Sequence, residues 1–155
     1  MFGRARLALF DEDGVLLAER RFDNRILEDG RAFVASLFVD PALPYSGLRL
    51  GVGTAASPTA IVQDAEATGQ VAMVERFGGG DTTRAVATVQ ATLPALNDGH
   101  TLALTWASIL LVRPGEATEA DVVPPDSLIP YNRADFPVVN KGPSMSMTLT
   151  WEVVF

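Results

Sequence analysis

MSMTLTWEVVF, from Met145 to Phe155, is the stretch whose periodicity decides the fold. Met147, Leu149, Trp151, Val153 and Phe155 alternate with Ser146, Thr148, Thr150 and Glu152, the period of a strand with one buried face. A terminal segment frays unless something holds it. One with Trp and Phe on its apolar side therefore reads as an integral closing strand over about 145–155.

Upstream, RARLALF and VLLAERRF flank DEDG, a hairpin over about 4–10 and 15–22 closed at Asp13-Gly14, where positive φ is needed. Asp29-Gly30 opens a segment in which Phe33, Val34, Leu37 and Phe38 form the stripe of a short helix ending before Pro41. After the Pro41 and Pro44 loop, GLRLGVGT reads as a strand with Leu48, Leu50 and Val52 on one face and glycines that allow close backbone approach. Ala55 to Thr68 shows no firm period and is expected to be loop or weakly regular structure. A strand near Gly69 to Phe77, a break at Gly78 to Asp81, and the alternating TRAVATVQATL give a second hairpin. Beyond the turn at Asn97-Asp98-Gly99, HTLALTWASILLVR is apolar enough for a strand buried on both faces or at a subunit contact. An acidic, proline-rich connection at about 113–130 precedes YNRADFPVVNKG, Tyr131 to Gly142, which reads as lying outside regular strands.

Short strands separated by glycine and proline turns, with one helix, predict an antiparallel β-sandwich forming a single domain over 1–155. The alternating helices of a parallel α/β fold are missing.

Composition narrows the function classes. A formal charge of -7, from 12 basic and 19 acidic residues, gives no field to attract a phosphate backbone, so direct nucleic-acid binding is not expected. With no cysteine, disulfides, thiolate metal sites and cysteine nucleophiles are excluded. No stretch approaches the roughly 20 apolar residues of a membrane-crossing helix, and the first residues, MFGRARLALFDEDG, turn acidic where a signal peptide needs its cleavage region. A soluble chain without membrane insertion is the expectation.

Candidate chemistry is outweighed by simpler roles. GVGT at Gly51 to Thr54 lacks the lysine and following helix of a phosphate loop. Asp11, Glu12 and Asp13 lack EF-hand spacing and read as a solvated hairpin tip. His100, the only histidine, would form a nominal triad with Ser108 and Asp121, but there is no G-x-S-x-G elbow. Glu116 and Glu119 sit in an acidic loop that solvation explains. No catalytic residue, cofactor or metal site is expected. Trp106 and Trp151 lie in apolar strands and read as core, whereas Tyr131, Arg133 and Phe136 have a composition enriched at interfaces.

A resemblance extends this. Asn24, Leu27, Gly30 and Leu37, then Gly51 to Thr54, then Asn132, Arg133, Phe136, Pro137 and Lys141, and last Thr148 to Trp151 with Phe155 follow one another in an order that resembles small structural proteins of tailed bacteriophages and phage-derived particles. The resemblance implies a non-enzymatic virion component made in the host cytoplasm, a tail, baseplate or appendage subunit that self-associates and binds other particle proteins. Tyr131, Asn132, Arg133, Phe136, Trp151 and Phe155 are the interface candidates. The alternatives are a capsid decoration protein and a carbohydrate-binding β-sandwich using Tyr45 and Tyr131.

Overall fold

The computed structural model describes residues 2–39, 47–57, 59–74, 84–112 and 128–155. Phe2–Phe10 (β1) and Leu16–Ile26 (β2) form the expected hairpin. Its turn is fixed by Asp11, whose side chain accepts the Asp13 and Val15 amides, and by Gly14 at φ 78°. The helix α1 spans Glu28–Val39, with Glu28 and Asp29 in a first turn that favours negative charge. Val34 packs on the core, while the side chains of Phe33, Leu37 and Phe38 lie outside the described residues.

Gly47–Thr54 (β3), Ile61–Glu66 (β4), Thr68–Val74 (β5), Arg84–Leu93 (β6) and Leu102–Val112 (β7) follow, then Leu128–Pro130 (β8), Asn132–Lys141 (β9) and Ser146–Val154 (β10). All pairings are antiparallel, and one hydrogen-bonded path runs β4-β3-β7-β9-β2-β1-β10-β6-β5, with β8 on β7. The two ends of that path are consecutive in the chain. β4 and β5 are separated by Ala67, whose amide donates to Leu48 O at 2.8 Å, so the sheet is nearly closed into a barrel. The mainly β, antiparallel class agrees with the sequence, but the ladder does not divide into the two separate sheets expected of a sandwich.

The closing strand is central. β10 pairs along its length with β1 on one side and β6 on the other, and Met147, Leu149, Trp151 and Val153 enter the core with Leu7, Leu50, Val89 and Ile109. β7 is buried without interruption from Trp106 to Val112, as its unbroken apolar run predicts.

Two expectations are corrected. The segment expected to be loop or weakly regular structure contains a regular strand, β4, illegible in sequence because its inward position holds a polar Gln63, donating to Pro94 O at 2.9 Å, while Val62 stands half-exposed in a bulge. Tyr131 to Gly142 does not lie outside regular strands: all but its first and last residues form β9. Pro137 is accommodated where the β7–β9 register shifts between Leu104 and Trp106 and a ladder amide is not required. The Pro41 and Pro44 loop with Tyr45, the Gly78 to Asp81 break, and the part of the acidic connection holding Glu116, Glu119 and Asp121 lie outside the described residues. The end of that connection, Leu128–Pro130, is strand β8.

Candidate functional site

Among the concavities of the described residues, two have an apolar lining, one at an end of the barrel and one on its outer wall. The first is an apolar groove of about 400 Å³ reached by inward-pointing positions: Leu48 of β3, Val71 of β5, Ala87 of β6, Leu111 of β7 and Val153 of β10, with Val34 of α1 beside them. Val71 lies opposite Ala87 on the same side of β5–β6 as buried Val89, and yet is 75% exposed. A core-facing valine in solvent forgoes about 1.5 kcal/mol of burial. Phe155, 45% exposed, extends the groove, its amide donating to Ala85 O at 2.9 Å.

The second concavity, about 450 Å³, lies outside β7. Outward positions of a barrel strand are ordinarily polar, but here Trp106 and Leu110 are buried there. They fit because β3 has glycines directly opposite Trp106 and diagonally beside Leu110. Gly53 is the register partner of Trp106, and Gly51 has Leu110 Cδ1 2.8 Å from where its Cβ would be. Trp106 Nε1 donates to Thr54 O at 3.3 Å, and the Arg133 guanidinium lies 4.6 Å from the indole centroid, a cation–π contact. Arg133 also pairs with Asp135 at 2.7 Å. Arg25 is the register partner of Arg133, and Asp64, on the same rim, is ion-paired to Arg49.

The interface candidates separate. Tyr131 is buried beside the groove; its amide donates to Ile109 O at 2.9 Å, its carbonyl accepts from Leu27 at 3.1 Å, and burial raises its phenol pKa above the ordinary tyrosine value. Asn132 is enclosed: Oδ1 accepts the Ile109 amide at 2.8 Å, and its carbonyl accepts the Ser108 hydroxyl. Phe136 stacks on Phe22 with centroids 4.9 Å apart, and Trp151 is core. Only Arg133 reaches the wall cavity, and only Tyr131 and Phe155 reach the groove.

Arg25, Asp64 and Val71 were not singled out from the sequence. The outward Trp106 had one signal, the G-V-G spacing of β3, which acquires meaning only once β3 is paired with β7. Ser108 is committed to carbonyl acceptors, His100 is exposed with its amide on Asp98, and Tyr131 is buried. At the barrel end near Pro94, Lys141 is 1% exposed and donates to Pro94 O at 2.9 Å; burial lowers its pKa, with Asp98 partly opposing. Among the described residues no helix is long and apolar enough to cross a membrane. No protein-family model, curated protein or solved structure matches the chain.

Proposed function

We propose that this protein is a non-enzymatic structural subunit of a bacteriophage or phage-derived particle, a tail, baseplate or appendage component that works through protein–protein assembly. The observation that carries the reading is the groove at Val71 and Phe155, a strip of core-facing apolar surface left in solvent. Such a strip is suited to burial against another subunit. Two of the segments behind the phage resemblance pair with each other next to Tyr131, a lining residue of this groove: Ile26 is the register partner of Asn132, and the Leu27 amide bonds to Tyr131 O. In this reading the barrel is flattened into two layers, the finer sandwich expected from the strand count, around a core shared by Leu149, Trp151, Leu50 and Ile109. The protein accumulates in particles after synthesis in the host cytoplasm.

Light scattering over a concentration series tests this. The expected result is a closed oligomer of fixed mass that Val71→Asp dissociates without altering the far-ultraviolet circular dichroism. A wild-type chain that stays monomeric at every concentration and is retained by no particle fraction would overturn it. A monomer retained only by preassembled shells would replace the tail role by the decoration role.

A further inference from the structure

We infer that the groove is covered by a second copy of this chain, the two copies joining edge to edge through β5 about a twofold axis at Val71. This rests on the assembly reading and names the partner and the strand through which it docks.

The first argument is the place of β5 in the ladder. β4 and β5 are the two ends of the hydrogen-bonded path, and among the described residues β5 pairs with β6 alone. Thr68 to Ala72 are all exposed, so both faces of the strand reach solvent. An end strand of this kind is a template for a further strand unless charge, proline or a bulge guards it. β4 is guarded, with Asp64, Glu66 and a register shift beside Ile61. β5, TGQVAMV, has no charged residue and no proline, and it pairs with β6 over its whole length without a shift.

The second argument is self-complementarity. Each copy has a net charge of -7, so two copies repel, and contact is least opposed along a strand that contributes no charge. Val71 is the middle residue of Thr68–Val74. An antiparallel pair centred there matches every residue of the strand: Gln70 with the partner's Ala72, Gly69 with the partner's Met73, and Thr68 with the partner's Val74. Val71, 75% exposed on the core-facing side, then meets the partner's Val71, so the apolar strip of one copy covers that of the other. Such a contact is isologous, with the same surface on both sides, and closes without leaving a second free end strand of β5.

The chain has no cysteine, so single-cysteine variants of the full chain report the contact without background. Directly opposed residues of an antiparallel pair stand within reach of a disulfide. Val71→Cys, oxidised with diamide at micromolar concentration, is expected to form a covalent dimer at least about tenfold faster than Val62→Cys on exposed β4, because pairing raises the effective thiol concentration. Gln70→Cys and Ala72→Cys should each cross-link slowly alone and quickly when mixed and allowed to exchange subunits. Light scattering on the reduced samples should give an even number of chains. A closed oligomer with an odd number of chains, or one in which Val71→Cys oxidises no faster than Val62→Cys, would overturn the β5 pairing and leave the assembly reading standing. A chain that is monomeric at every concentration would overturn the pairing, and if it is also retained by no particle fraction it would overturn the assembly reading as well.

Discussion

A Cβ on Gly53 would stand 2.0 Å from Cζ2 of Trp106, its register partner across β3 and β7. Backbone and ring are therefore in contact with no room for a methyl group, and a residue outside the main core becomes a packing constraint.

Gly53→Ala should destabilise the protein by about 1–3 kcal/mol, the usual cost of overpacking, because the indole is pinned by Thr54 and Arg133. Denaturant unfolding of a cycle with Trp106→Leu measures it. The double variant should lose less than the sum of the two single variants. Additive losses would place the cost of the alanine somewhere other than the ring.

Lys141 makes an opposite expectation. Its buried amine donates to Pro94 O, but that carbonyl also accepts from Gln63, so Lys141→Met leaves it satisfied while removing a desolvated charge. Stability at neutral pH should be unchanged or higher by about 1 kcal/mol. A folded-state pKa below the ordinary value means that the protonated amine costs stability, and this cost fades as pH rises through the lowered pKa toward the usual lysine range. The difference between Lys141→Met and wild type should accordingly narrow from pH 7 to pH 10. A loss greater than about 1 kcal/mol at pH 7 would show that the ammonium stabilises the fold.

The chain end should divide sharply between neighbouring residues. Trp151→Ala empties a fully enclosed site and should cost about 3–5 kcal/mol. Deleting Phe155, half in solvent and tied by one amide, should cost about 1 kcal/mol or less while weakening self-association. Thermal unfolding with light scattering on the same samples separates the two effects. A truncated chain as associated as wild type would remove Phe155 from the proposed contact.

Much of the fold was legible because alternation is a local signal. The β1–β2 hairpin, β6, β7 and β10 each show their period or apolar run within a few residues, and Asp13-Gly14 and Asn97-Asp98-Gly99 mark chain reversals by their chemistry. β4 and β9 were not legible. In β4 a polar side chain takes the inward position and an apolar one the bulge; in β9 a proline interrupts the pattern where the partner strand does not need its amide. Both depend on the partner strand, which adjacent sequence does not specify.

The candidate sites were less legible still. Arg25 and Arg133 are 108 residues apart, and only the β2–β9 register brings them together. Val71 looks like any strand valine until the uncovered core-facing side of β5–β6 is seen. What the sequence determined by itself was the antiparallel β class, the places where the chain turns, and the closing role of β10, because side-chain period and turn chemistry act within a few residues. Tertiary structure alone decided the near-closure of the barrel at Ala67, the lodging of Trp106 over Gly53, and the pairing of two arginines on one wall. Those depend on which strands become neighbours, and that is set by the packing of the whole chain.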